Sequence, residues 1–496
     1  MSKELIVTIL VAYFAVLLLI SYLTSRNADS NTFFTGDKQS PWYLVAFGMI
    51  GASLSGVTFI SVPGKVASDG FQYFQVVMGY TLGYLVIAKL LMPLYYRLNV
   101  TSIYQYLEQR LGTVSYKVGA GFFVFSRTLG SAIRLYLATL VLQIFLFNDW
   151  NVPYWATAIL TILLIWIYTF KGGIKTIVYT DTFQTFFLVS SVLICSIFIA
   201  GELGISWFDL YNRVSSQPTT SGFSMTRIFQ LEDPLAKNYF FKHFFGGMFL
   251  TIAMTGLDQD LMQKNLTCKN INDAQKNMYS FTGVLVVTNF LFLLVGGALY
   301  VFAAEKGIAL PEKSDHVFPT LALSHFGKLA GIFFLLGITA SSYASADSAL
   351  AALTTGFCID FLNFEKRDEA SRQRLKFLVH IGFSVLFLLI ILGTKWYVDS
   401  NPKTDIISLI LTVAGYTYGP LIGLFSFGLF TKRMPINWMV PVVTISVPFL
   451  CYYLDKNAPT WFNGYQFGFE MLIINGALTF LFLYLFSKPQ ILQNEN

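Results

Sequence analysis

Gly48-Met49-Ile50-Gly51-Ala52-Ser53-Leu54-Ser55-Gly56-Val57-Thr58-Phe59-Ile60-Ser61-Val62-Pro63 decides how this chain is read. The stretch is apolar enough for a bilayer. It nevertheless packs Gly48, Gly51, Ser53, Ser55, Gly56, Thr58 and Ser61 ahead of the proline, more Gly and Ser than an uninterrupted lipid-facing helix carries. Two physical readings compete. Small residues let neighbouring helices approach closely; alternatively, the helix unwinds near the membrane midplane and offers carbonyls and half-helix ends to an ion and a solute. Irregular backbone at that depth is tolerated only where it is buried in protein or lines a cavity, so the second reading ties a broken helix to a binding site.

Working outward, the whole chain belongs in a membrane. Of its 496 residues 55% are hydrophobic and 12% charged, against about 25% charged in soluble domains. A helical span takes roughly 20 apolar residues, because the hydrocarbon core is about 30 Å thick and a helix rises about 1.5 Å per residue. Thirteen apolar segments fit this scheme, at approximately 5–24, 43–62, 76–96, 118–147, 154–170, 180–201, 241–257, 278–303, 320–361, 375–393, 406–430, 438–453 and 467–486. Their continuity, without the in-out alternation of short strands, excludes an outer-membrane barrel. The expected class is an all-α integral membrane protein of about 13 transmembrane helices forming one domain. The first segment lacks a basic leader and a small-x-small cleavage site, and is expected to be retained as a helix.

An odd number of spans puts the termini on opposite sides, so the basic residues of the connections divide into two sets of 18 and 10. The richer set, which includes Arg26, Lys171, Lys264, Lys366, Arg367, Arg372 and Lys432, is expected in the cytoplasm by the positive-inside rule. That places the N-terminus outside, the C-terminus inside and the long 202–240 connection outside. The net charge of +6 forms no stripe or arm, so nucleic acid is not an expected partner. Four Cys without a CxxC pair and four dispersed His offer neither a disulfide framework nor a zinc site, and no catalytic set converges.

The apolar pattern breaks in a few other places. The seventh span holds Gly246 and Gly247, then Thr255-Gly256-Leu257-Asp258-Gln259-Asp260. It lies five spans after the first break, so spans 2–6 and 7–11 form two five-helix units that run oppositely through the membrane, each opening with an interrupted helix. In the ninth span Ser341, Ser345 and Ser348 share one helix face beside Asp347. Such an oxygen-rich surface suits a small hard cation; the competing reading has the hydroxyls bonding back to carbonyls one turn earlier. Asp181 opens the sixth span, where the helix dipole favours an acidic residue. Arg127 and Arg134 are seven apart, hence on one face of the fourth span, where one structures the bundle or snorkels and the other meets a solute anion.

Three blocks then point to a family: Tyr168-Thr169-Phe170-Lys171-Gly172-Gly173 followed by Thr180-Asp181 and Gln184; Ala340-Ser341-Ser342-Tyr343-Ala344-Ser345-Ala346-Asp347-Ser348; and Gly419-Pro420-Leu421-Ile422-Gly423-Leu424-Phe425 followed by Gly428, Lys432 and Arg433. Together they resemble the sodium:solute symporter family, and most closely the bacterial sialic acid and sugar symporters. The resemblance implies a leucine-transporter-type fold with a five-plus-five inverted repeat. Residues 1–42 would be an extra helix and linker, 43–204 the first repeat, 205–433 the second, and 434–496 two further helices. It implies a main sodium site at Gly51, Leu54, Ser341, Ala344 and Ser345, with Ala344 standing where relatives carry a hydroxyl. A second cation site would take Asp181, Ser345, Asp347 and Ser348, with a carboxylate at Asp347 where relatives carry a serine. Ser55 and Thr58 align with solute-binding positions, and Ser131 stands where the sialic acid symporters have an arginine, one turn before Arg134. Ser53, Gln75, Thr255, Gln259 and Gln263 are further pocket or gate candidates. The implied function is import of a small polar solute by alternating access, coupled to one or two Na+, by a monomer in the plasma (bacterial inner) membrane. Proton coupling through Asp347 and Asp181, an amino-acid or vitamin cargo, and a transporter-fold sensor or channel are the rivals.

Overall fold

Helices satisfy every backbone group internally, as a bilayer requires, and the apolar runs of this chain fold accordingly. The computed structural model describes residues 3–25, 30–169, 173–401 and 406–489. Phe170, Lys171 and Gly172 of the first family block, and Arg26 and Lys403 of the charge count, lie outside them. The principal helices are α1 (Lys3–Ser25), α2 (Trp42–Ser53), α3 (Gly56–Gly64), α4 (Tyr73–Leu98), α5 (Thr113–Leu142), α6 (Tyr154–Thr169) and α7 (Gly173–Glu202). Then come α8 (Phe240–Gly256), α9 (Gln259–Leu266), α10 (Ile271–Lys306), α11 (Lys328–Leu362) and α12 (Glu369–Ser400). The chain ends with α13 (Ile406–Thr417), α14 (Gly419–Phe430), α15 (Met439–Trp461) and α16 (Met471–Leu485). Among the described residues seven helices are long and apolar enough to cross a membrane, or nine if each of two bent pairs counts as one span.

Those bent pairs are the two interruptions expected from the sequence. α2 and α3 meet at 57°, α8 and α9 at 64°. At the first, the Leu54 amide still donates to Ile50 O (2.8 Å), closing α2, while Ser55 is extended (φ −69, ψ 170) and starts a new helix. At the second, Asp258 is extended (φ −112, ψ 123) and its carboxylate accepts the Asp260 amide at 2.9 Å, an N-cap that lets α9 begin in a new direction. The core follows from these breaks: α7 lies along α11 and α2, and α8 lies along α4.

The α4–α8 seam shows what small residues are for. A Cβ on Gly79 would fall 2.0 Å from Phe244 O, and one on Gly247 would fall 2.3 Å from Val76 O, so the two backbones touch. Gly79→Ala is therefore expected to force the helices apart and lower stability by about 1–3 kcal/mol, the usual cost of overpacking. Melting of the detergent-solubilised protein reads this out, and an unchanged melting point would show that the seam yields freely.

One charge is not where the sequence count placed it. Lys264, assigned above to a cytoplasmic connection, is 1% exposed inside the bundle on α9, an eight-residue helix every residue of which is buried. A polar segment reads as a loop from its composition; here partners from other helices make its burial affordable.

Candidate functional site

Both breaks open onto one cavity of about 100 Å³. Ser53, Leu54, Ser55 and Thr58 line it from the first break and Thr255 from the second. Tyr73, Tyr80 and Tyr84 of α4 add phenol groups, and Arg127 and Arg134 of α5 add guanidinium groups. A second cavity of about 270 Å³ adjoins it on the side of the 203–239 connection, sharing Tyr73, Leu250, Ile407 and Leu411 as walls. The hydroxyls of Tyr73 and Tyr80 lie 3.2 Å apart near this boundary.

Beside the first break, α2 meets α7 and α11. Thr185 of α7 accepts the Gly51 amide at 2.9 Å and donates to Gly48 O at 3.4 Å, clamping the last turn of α2. A Cβ on Gly51 would stand 3.6 Å from that of Ala344. Among the described residues no donor reaches the carbonyls of Gly51 or Leu54, and the buried Ser345 hydroxyl has no hydrogen-bond partner. The Ser341 hydroxyl donates back to Ile338 O at 3.1 Å, so the competing reading of the serine face holds for that residue and not for Ser345. Unclaimed oxygens thus occur on both sides of the α2–α11 contact, the donor type a small hard cation takes, and Ala344 faces Gly51 there with a methyl group.

A turn away from Gly51 lies a charged cluster. A Cβ on Gly48 would be 3.1 Å from Asp181 Cβ, which puts the carboxylate of α7 beside α2. Asp181 Oδ2 accepts from Lys264 Nζ at 2.5 Å. Asp347 accepts the Tyr168 hydroxyl at 2.7 Å on Oδ2 and the Ser348 amide on Oδ1, and the Ser348 hydroxyl donates to Asp260. Asp181, Asp347 and Lys264 are near enough to act on one another electrostatically.

A third cluster closes the cavity on the α9 side. Arg127 bonds Asp260 through one arm and stands 3.8 Å from Asp258 with the other, and Tyr418 donates to Asp258 at 2.5 Å. Arg134, two turns along α5, is half-buried at the cavity wall and has no ion pair or hydrogen bond among the described residues. The two arginines of one helix face thus divide into a paired and an unpaired one, an assignment that depends on where α9 lies.

The glutamine candidates stand outside the cavity. Gln75 Nε2 reaches Asn238 O and His243 Nδ1, both at 3.2 Å, and Gln75 Oε1 accepts the Gln230 amide at 3.0 Å, strapping the long connection onto α4. Gln259 accepts the Ile103 amide and donates to Thr101 O; Gln263 donates to Phe34 O and Thr355. A primary amide both donates and accepts, so each pairs backbone left over by regular structure: the long connection for Gln75, the 101–103 turn for Gln259 and the end of the short helix Ser30–Thr35 for Gln263. Ser131 is buried in α5 with an unpartnered hydroxyl and does not line the cavity. Reasoning from sequence passed over Thr185, Tyr80 and Tyr84, whose types are ordinary in apolar helices and whose positions alone mark them, and Asn289, whose amide inside the apolar run of α10 was itself a signal.

The relatives of the chain agree with this architecture. Over 485 residues it is 24% identical to the sodium/sialic acid symporter NanT of Aliivibrio fischeri, covering 95% of this chain and 92% of that protein. It is 26% identical over 396 residues to the sodium-dependent multivitamin transporter of Oryctolagus cuniculus, covering 78% of this chain and 59% of that protein. The solved structure of a Na+-coupled sialic acid symporter in its substrate-bound, outward-open state superposes with a TM-score of 0.80 at 20% identity, covering 98% of this chain and 99% of that one. The model of the sodium:solute symporter family matches residues 33–437, and the chain belongs to that family.

Proposed function

We propose that this protein imports a small, polar, negatively charged solute together with sodium, with the cavity between the two helix breaks as the solute site. Sodium-coupled symport of a small polar solute, as a multi-pass membrane transporter and not an enzyme, comes with the family. The observation that carries the anionic cargo is Arg134: a guanidinium on the cavity wall, unpaired by the protein, favours a carboxylate or similar group that brings the missing charge. Ser53, Ser55, Thr58 and Thr255 supply hydroxyls for the polar remainder of the solute. Ser131 at the position of the relatives' arginine supports a cargo other than sialic acid itself.

The main sodium site in this reading comprises Gly51, Leu54, Ser341, Ala344 and Ser345. Its ligands come from α2 and α11, so a bound ion holds the broken helix against its neighbour and prepares the solute site. Counting the bent pairs as single spans and adding α5, α6, α15 and α16 gives 13 spans among the described residues, which supports termini on opposite sides, and the charge bias of the connections then puts the N-terminus outside and the C-terminus in the cytoplasm. The protein then works as a monomer in the plasma (bacterial inner) membrane, driven by the sodium gradient and a potential that supplies about 2.3 kcal/mol per charge per 100 mV.

The test is a melting-point screen of purified protein against small carboxylates and their neutral amides, in Na+ and in choline. A ligand at 100 times its Kd stabilises by about 2.7 kcal/mol. Stabilisation by a carboxylate, in Na+ only, is expected. Equal stabilisation by the amide would overturn the anionic cargo, and stabilisation dependent on pH but indifferent to Na+ would move coupling to protons.

A further inference from the structure

The inference that follows rests on the sodium-symport reading and concerns the second cation position. The residues that resemblance implies for it do come together, but their oxygens are largely spoken for. Asp181 Oδ2 holds the Lys264 ammonium at 2.5 Å, with both side chains 1% exposed. Asp347 is engaged on both oxygens by Tyr168 and the Ser348 amide, and the Ser348 hydroxyl is given to Asp260. What is left is Asp181 Oδ1 and the Ser345 hydroxyl, each buried without a hydrogen-bond partner among the described residues, and Ser345 already belongs to the main sodium site.

The residue set therefore does not fit a second mobile ion in this arrangement. A sodium ion placed on Asp181 would face the ammonium across a few ångströms. Like charges that close repel strongly in an interior that screens them far less than water does. One ammonium delivers the charge a sodium ion would deliver, as a compact point charge suited to the task, and it does so without having to be captured from solution.

We propose that Lys264 is the resident cation of the second site, an ammonium tethered on α9 that holds Asp181 in place of a second sodium, so that the main site alone takes up a mobile ion. Because Lys264 rides on the half-helix that follows the second break, its charge stays with the protein when the mobile sodium leaves. The coupling number of this chain is thereby fixed at one sodium, and Lys264 is the residue that fixes it.

The experiment counts bound sodium directly, by equilibrium binding of ²²Na+ to the purified full-length protein without solute. The native protein is expected to bind one ion, Lys264→Ala two, and the Lys264→Ala/Asp181→Asn double variant one again. Two ions on the native protein would overturn the proposal while leaving sodium symport intact; no ions on it would instead bring down the sodium reading on which the proposal rests. A folded Lys264→Ala that binds only one ion also overturns it. If Lys264→Ala folds only in high NaCl and not in high choline chloride, sodium has replaced the ammonium and the proposal stands. Failure to fold at any sodium concentration would overturn the proposal, because sodium then cannot stand in for Lys264.

Discussion

Arg127→Leu is expected to destabilise the protein by about 3–5 kcal/mol and to abolish uptake. Breaking a buried ion pair by removing one partner leaves an uncompensated charge in a medium that cannot solvate it. Here the loss is compounded, because one guanidinium serves both Asp258 and Asp260. These carboxylates sit at the start of α9, where Asp258 also caps the helix and accepts from Tyr418. Melting in detergent and the yield of monodisperse protein measure the effect. Arg127→Lys keeps the charge but not the two-armed geometry, and should recover part of the stability and little of the transport. Near-native stability of Arg127→Leu would mean that the two aspartates are satisfied without it.

Arg134→Gln should behave in the opposite way. Nothing among the described residues pairs with this guanidinium, so the folded state loses no partner and the melting point should stay level or rise. The cost falls on the solute: a hydrogen bond to a charged group contributes about 1.5–3 kcal/mol, which at about 1.4 kcal/mol per decade is roughly a 10- to 150-fold weaker Kd. Sodium binding in the absence of solute should be unchanged, since the main ion site draws on α2 and α11. The pair of variants thus separates a residue that holds the bundle from one that holds the cargo. A fall in the melting point of Arg134→Gln with solute affinity intact would reverse the assignment.

How much of this was legible in the sequence depends on how local each feature is. The breaks at Leu54 and Leu257 were, because Gly and Ser crowd the first, Gly and Asp mark the second, and a helix interruption is a matter of a few adjacent residues. That Ser341, Ser345 and Ser348 share one face of α11 was legible through spacing on one helix, but their separate bonding was not: Ser341 turns back to Ile338 O, Ser348 reaches Asp260 and Ser345 keeps a free hydroxyl. Lys264 was not. Its own neighbours, Gln259-Asp260-Leu261-Met262-Gln263, have the polarity of a loop, and its burial is compensated by Asp181, 83 positions away. The three glutamines failed likewise: polar residues near a break suggest a pocket, whereas these amides are consumed by stray backbone of the 99–104 and 230–238 segments and of Phe34. The division of labour between Arg127 and Arg134 lies in the same class, since their equivalence along one helix face is undone only by the path of α9.

α9 also bears on how tightly the transporter can hold its gradients. Asp258 and Asp260 attach the short helix to α5, Asp260 attaches it to α11 through Ser348, and Lys264 attaches it to α7. Three walls of the bundle are thus bound to one rigid piece, so partial loosening at any single wall leaves the other two attached. Opening on that side then requires the three attachments to release together, an arrangement that favours tight coupling over fast turnover.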